Sequence, residues 1–247
     1  MDTARNRRED CVLLAGATGL IGGEVLRRLG RAHRTPVVVV SRRRPDDGPP
    51  DAKVLLGELE DPAQDAAMLE RVRAASQDRP LGTFIGCLGT TIRRAGSQAA
   101  FETIDRGLVV RLATLARDLG AAHAIVVSSV GADAGSGNFY LGVKGRMERE
   151  VAGLGFARAD FLRPGLLLGD RSERRAGEAI ARGLAPVFNP VLMGPLRRYR
   201  AISASDVAAA VVALLGAPPP GVFGHAYDDL MRLAAAPARA VPVGPRP

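Results

Sequence analysis

The chain has 247 residues, 47% of them hydrophobic, with two cysteines and no tryptophan, so it can bury one sizeable core and carries no disulfide framework. Its formal net charge is +8, yet the arginines fall in small scattered groups, aromatics make up 4% of the chain and no zinc-ligand spacing occurs, which sets nucleic-acid binding aside. No apolar run approaches the roughly 20 residues that span a bilayer. The basic start (Arg5, Arg7, Arg8) and the apolar stretch from Cys11 mimic a secretory signal. That stretch is broken by Gly16, Gly19, Gly22 and Gly23 and continues into an amphipathic helix, so the expectation is a cytoplasmic protein with no membrane partner.

From residue 11 to about 163, strand-like runs alternate with helical patterns. Strands are predicted at 11–16, 36–41, 53–56, 82–88, 123–129 and 157–163, and helices near 20–31, 62–77, 98–119 and 140–153. Strand, helix, strand in repetition implies a parallel sheet covered on both faces, a doubly wound α/β fold of Rossmann type. Residues 37–40 are four consecutive valines, which suits a strand buried on both sides. Cys11 and Cys87 lie in apolar runs and read as inert core thiols. Ile104, Leu108, Leu112, Leu115 and Leu119 recur at spacings of three and four, a helical period.

After Pro164 the regularity weakens. The expectation is a single domain over 1–247, in which 165–235 supply a small C-terminal substrate cap, with a loop-and-helix stretch at 170–201. Ser203 or Ser205 caps a helix ending near Leu215. The Ala/Pro/Arg tail at 236–247 reads as disordered.

The first predicted strand runs into Gly16-Ala17-Thr18-Gly19-Leu20-Ile21-Gly22, followed by a helix. Glycines at the first, fourth and seventh positions permit the tight turn, the close approach of a pyrophosphate and the packing of helix on sheet. The helix N-terminus then offers amide donors to the phosphate. The second strand ends in Ser41-Arg42-Arg43-Arg44, with no acid before Asp46. An acid there would accept bonds from the ribose of NAD, whereas arginine favours the 2′-phosphate of NADP. Arg42 is the first choice and Arg43 the second. Glu58 and Leu59, after the third strand, sit where such folds place a segment beside the adenine, or else belong to an acidic helix start before Pro62. Cys87, Leu88, Gly89 and Thr90 follow the fourth strand and line the ribose and nicotinamide side of the cleft.

Of 34 basic residues only Lys53 and Lys144 are lysine, and Lys144 stands four positions after Tyr140. On a helix the two share a face. A phenol titrates near 10 when free, and a neighbouring ammonium favours its ionised form. Ser128 and Ser129 end the fifth predicted strand, eleven residues before Tyr140 in the case of Ser129. All can meet at the carboxyl edge of the sheet.

These residues, over 11 to about 215, resemble the short-chain dehydrogenase/reductase superfamily. Cys87-Leu88-Gly89-Thr90-Thr91, Ser128-Ser129-Val130-Gly131-Ala132-Asp133, residues 138–145 (NFYLGVKG) and Phe161-Leu162-Arg163-Pro164-Gly165 are similar to the atypical branch that holds the Tat-interacting-protein oxidoreductases and bacterial nucleoside-diphosphate-sugar epimerase-like proteins. The resemblance implies NADPH binding and a Ser–Tyr–Lys site. Tyr140 would be the general acid toward a small carbonyl substrate. Lys144 would hold the ribose hydroxyls and lower the Tyr pKa. Ser129 would bind the carbonyl, with Ser128 as the alternative. Arg163 and Pro164 would lie beside the nicotinamide amide. Many superfamily members have a relay Asn where this chain has Asp105, which either serves that relay or leaves it absent. The same resemblance implies a second role, a non-catalytic NADPH-binding regulator acting through a protein partner. A sugar-nucleotide epimerase is disfavoured, because 247 residues leave a small cap for a large substrate.

Overall fold

The computed structural model describes residues 10–32, 36–57, 59, 61–77, 79–168, 192–218 and 220–236. Five residues of continuous burial make β1 (Cys11–Ala15), and the valine run makes β2 (Val37–Ser41). The order continues with α1 (Leu20–Ala32) between them, then β3 (Lys53–Leu56), α2 (Asp65–Ala75) and β4 (Leu81–Gly86). Two short helices, α3 (Ile92–Ala95) and α4 (Gln98–Glu102), lead into a π-helical turn at Thr103–Leu108 and α5 (Val109–Asp118). β5 (His123–Val127), α6 (Phe139–Gly153), β6 (Arg158–Leu162) and β7 (Leu167–Leu168) come next. Beyond residue 191 lie a 3-10 turn at Gly194–Tyr199, β8 (Ile202–Ser203), α7 (Ala204–Ala213), β9 (Gly221–His225) and α8 (Tyr227–Ala235).

The main sheet has seven parallel strands in the order β3-β2-β1-β4-β5-β6-β9, and β7 pairs with β8 apart from it. Successive strand residues point to opposite faces, and the core divides accordingly. Cys11, Leu13 and Val40 pack in one layer with Leu112 and Ala116 of α5 and Met147 of α6. Val12, Leu14 and Val39 pack in the other with Val25 of α1, Val211 of α7 and Leu230 of α8. Burial raises the Cys11 thiol to about 11, as befits a core residue.

The cap expected over 165–235 has its middle, 169–191, outside the described residues, as is the tail from 237 on. Residues 192–236 join the body of the fold. Ser203 caps α7, its hydroxyl accepting from the Asp206 N–H at 3.0 Å. Arg28 of α1 donates to Ser205 at 2.9 Å, tying α7 across α1. β9 is the seventh strand of the sheet, and α8 buries Leu230 completely. The helix expected over 98–119 is real but interrupted, its period broken by the π turn that carries Asp105.

Candidate active site

The chain leaves β1 toward β2 and β3 on one side, then crosses back so that β4 lies on the other. In open parallel sheets the crevice at such a reversal is where ligands bind. Its two walls touch here. Gly16 has φ +87°, and a Cβ on it would lie 2.5 Å from the Cys87 carbonyl. A Cβ on Gly22 would lie 2.2 Å from the Gly16 oxygen, so the first turn of α1 presses on the loop that precedes it. Gly19 closes that loop by donating its N–H to the Gly16 oxygen at 2.9 Å. Thr18 is exposed at the loop tip, Leu20 is half-buried and Ile21 is buried beneath it.

Arg42, Arg43 and Arg44 are exposed just past the end of β2. Glu58 lies outside the described residues. Leu59 is 5% exposed within the core layer that includes Met68, so it can offer a ligand little beyond its backbone. Past β4, Cys87 and Leu88 are half-buried and Gly89 is exposed. Burial pushes the Cys87 thiol up to about 12, which leaves it unreactive.

Ser128 and Ser129 come directly after β5, and their loop is laced to β6. The Ser128 N–H donates to the Leu162 oxygen at 2.7 Å, and the Val130 N–H to the Pro164 oxygen at 3.0 Å. Ser129 is half-exposed. The Ser128 hydroxyl is buried and has no hydrogen-bond partner among the described residues. Asn138 caps α6 by accepting from the Leu141 N–H at 3.1 Å, which places Tyr140 in the first turn and Lys144 one turn on. The Tyr140 ring lies against Phe101, with centroids 5.6 Å apart.

Lys144 is almost fully buried. Its Nζ lies 2.7 Å from Oδ1 of Asp105, which is also buried, and Oδ2 of the same carboxylate accepts from the Thr90 N–H at 2.9 Å. One carboxylate thus joins the β4 loop, the π turn and α6. Sequence reading marks Asp105 as a departure from a relay Asn, but not as the partner of Lys144. Gly145 also escapes it as a contact point. A Cβ there would fall 2.1 Å from the backbone of Asp133 and Ala134, so the loop carrying Ser129 toward α6 rests directly on that helix. Its position straight after Lys144 is the available signal.

Pro164 is buried at the turn beside that loop. Arg163 is directed elsewhere: its Nε donates to Glu148 of α6 at 2.9 Å, and its Nη2 pairs with the other Glu148 oxygen. The hydrogen bonds to Glu148 raise its pKa and hold the side chain against α6. Cavities of about 280 and 410 Å³ open at Glu102–Arg106 and at Glu148–Arg163, and neither is lined by Ser129, Tyr140 or Lys144.

No protein-family model matches the chain. A protein of Aspergillus niger named fmp52, mitochondrial, is 34% identical over 217 residues, covering 85% of this chain and 91% of its own. The rat protein HTATIP2 is 36% identical over 172 residues, 69% of this chain and 68% of its own. The chain belongs to the Fmp52/HTATIP2 family. HTATIP2 falls in the Tat-interacting-protein group that the sequence motifs resemble. The Candida albicans FMP52, 30% identical over 231 residues, is likewise named mitochondrial. The cytoplasmic expectation is therefore corrected, since lack of a secretory signal does not separate cytoplasm from mitochondrion. Among solved structures, the Helicobacter pylori ADP-L-glycero-D-manno-heptose-6-epimerase matches with a TM-score of 0.64 at 16% identity, covering 92% of this chain and 79% of that one. MoeE5, in complex with UDP-glucose and NAD, matches at 0.62 with 17% identity, covering 91% and 81%. This chain shares their fold.

Proposed function

We propose that this protein is an NADP-dependent oxidoreductase that reduces a small carbonyl compound, with Tyr140 as general acid. The observation that carries the reading is the buried Lys144 one helical turn after Tyr140, at the same sheet edge as a glycine loop too tight for a side chain at Gly16 or Gly22. The residues fit the cofactor: Gly16, Thr18, Gly19, Leu20, Ile21 and Gly22 would hold the pyrophosphate at the start of α1. Arg42 and Arg43, exposed past β2, would take the 2′-phosphate. Leu88, Gly89 and Thr90 would lie along the nicotinamide half, and the unpartnered Ser128 hydroxyl would find its acceptor or donor there.

NADPH, when bound, supplies the hydride. The chain's own residues handle the proton and the position of the substrate. Tyr140 gives its phenolic proton to the carbonyl oxygen as negative charge develops on it. The Ser129 hydroxyl donates a hydrogen bond to that oxygen, and Phe101 holds the Tyr140 ring in place. Lys144, fixed by Asp105, presents donors to the ribose hydroxyls.

A panel of small carbonyl compounds, followed by NADPH absorbance, tests the reading. At least one is turned over, and Tyr140→Phe lowers kcat by about 10²–10⁴-fold. A variant as fast as wild type on every active substrate refutes the role of Tyr140. Tight NADPH binding with no turnover, and a protein captured only in the presence of cofactor, would favour the regulator reading instead. Titration with nucleotide sugars tests the epimerase reading, and saturable binding there would replace the small-carbonyl assignment.

A further inference from the structure

Two features set Asp105 apart from an ordinary structural acid. It is 1% exposed and faces a lysine that is 4% exposed, so neither charge is screened by water. Its Oδ1 forms an ion pair with Lys144 Nζ at 2.7 Å and its Oδ2 accepts from the backbone N–H of Thr90 at 2.9 Å, so it cannot swing away without breaking a hydrogen bond to the backbone. The π turn at Thr103–Leu108 delivers it, and single π turns inside α-helices are frequent at functional sites. The other charges of this helical segment are spent outward: Glu102 pairs with Arg106 and Arg146, and Arg106 also with Glu150. Among the described residues, the carboxylate paired with Lys144 is that of Asp105.

We propose that Asp105 sets the redox preference of the cofactor site by cancelling the charge of Lys144. The inference rests on the reading of this crevice as a nicotinamide site. The oxidised nicotinamide ring carries a positive charge and the reduced ring carries none. A bare ammonium beside the ring would repel the oxidised form alone and bias the site toward the reduced one. The Asp105–Lys144 pair is neutral as a unit and removes that bias, while Lys144 keeps its donors for the ribose. Asp105 is therefore a charge-setting and positioning residue, acting through Lys144 rather than on substrate.

The test is the ratio Kd(NADP+)/Kd(NADPH), measured by calorimetry on the full chain without any substrate. In Asp105→Asn the ratio rises on the order of tenfold, the scale of one unit charge acting across a partly screened protein interior. Asp105→Glu, which keeps the charge, holds the ratio near wild type. Lys144→Met moves it the other way, because the uncompensated carboxylate attracts the oxidised ring, and this variant serves if Asp105→Asn does not fold. A purely structural role for Asp105 would weaken both forms equally and leave the ratio fixed. Folded variants with unchanged ratios overturn the inference alone. Wild-type protein that binds neither form overturns the cofactor reading and this inference with it.

Discussion

Asp160 offers the sharpest test of what holds the site's frame. It lies on β6, is fully buried, and collects donors from three strands. His123 of β5 reaches it at 2.7 Å and His225 of β9 at 2.6 Å, while Arg158 contributes Nε at 2.5 Å and Nη2 at 2.8 Å. Arg158 also lies over an aromatic ring, its guanidinium 4.2 Å from the centre of Phe223. Replacing Asp160 with Asn removes the charge and turns an NH2 group toward these donors. Breaking a buried ion pair from one side costs about 3–5 kcal/mol. For a domain of this size, each kcal/mol moves the melting temperature by about 2–4 °C, so the variant should melt roughly 6–20 °C lower. Burial alone would raise this carboxyl, but the hydrogen bonds from His123, His225 and Arg158 outweigh it and hold the group well below the usual carboxylate range. Its contribution is therefore complete above the unfolded value of about 3.9 and is lost as the pH falls from there toward the folded value. Urea unfolding of wild type and Asp160→Asn at pH 7 and pH 3 should show a wide gap that narrows in acid. A variant within about 1 kcal/mol of wild type at pH 7 would refute the assignment of Asp160 as the lock of β5, β6 and β9.

Three further variants probe the site. Gly22→Ala places a Cβ 2.2 Å from the Gly16 oxygen, so the glycine loop must open. NADPH affinity should fall by roughly ten- to a hundredfold, the equivalent of about 1–3 kcal/mol of overpacking, as read by cofactor fluorescence. Replacing both Arg42 and Arg43 with Ala removes the charge-assisted contacts to a 2′-phosphate, worth about 1.5–3 kcal/mol each at most. Calorimetry should then show NADPH weakened to the level of NADH while NADH binding is little changed; wild-type protein that binds the two dinucleotides equally would refute the NADP preference. Gly145→Ala drives a Cβ into the Asp133–Ala134 backbone and shifts the loop that spaces Ser129 from Tyr140. A displacement of about 1 Å costs on the order of 10² in kcat, with NADPH binding largely retained, so equal losses in both would point to general unfolding instead.

The sheet is legible because its signal is local. β1, β2, β4 and β5 are all fully or almost fully buried strands, and such strands read as mostly apolar runs. The loop after β1 and the Tyr140–Lys144 pair are legible for the same reason, since each is a short spacing with a mechanical cause. β9 is not. It is an edge strand that alternates half-buried with exposed residues and begins at Gly221 with φ +140°, so its few apolar residues resemble a linker. The π turn leaves no trace either, because one extra residue in a helix shifts the stripe without erasing it. Asp105 and Lys144 are separated by 39 positions of chain, and no spacing rule joins a charge on one helix to a charge on another. Arg163 illustrates the converse: it stands beside the expected site in sequence, yet Glu148 on α6 claims its side chain.

The second core layer carries a cost in time. Val12, Leu14, Val25 and Leu29 precede residue 30, but part of the layer they pack in comes from α7 and α8, beyond residue 203. During synthesis that layer stays incomplete until α7 and α8 have been made. Contacts of such long sequence separation form slowly, and exposed apolar surface in the interval invites association. A chain cut before Ala204 would keep its glycine loop and its Tyr140 yet lose the part of this layer that α7 and α8 supply, with α1 left as cover for that face. The residues that read as an appendage are the ones that let the rest finish folding.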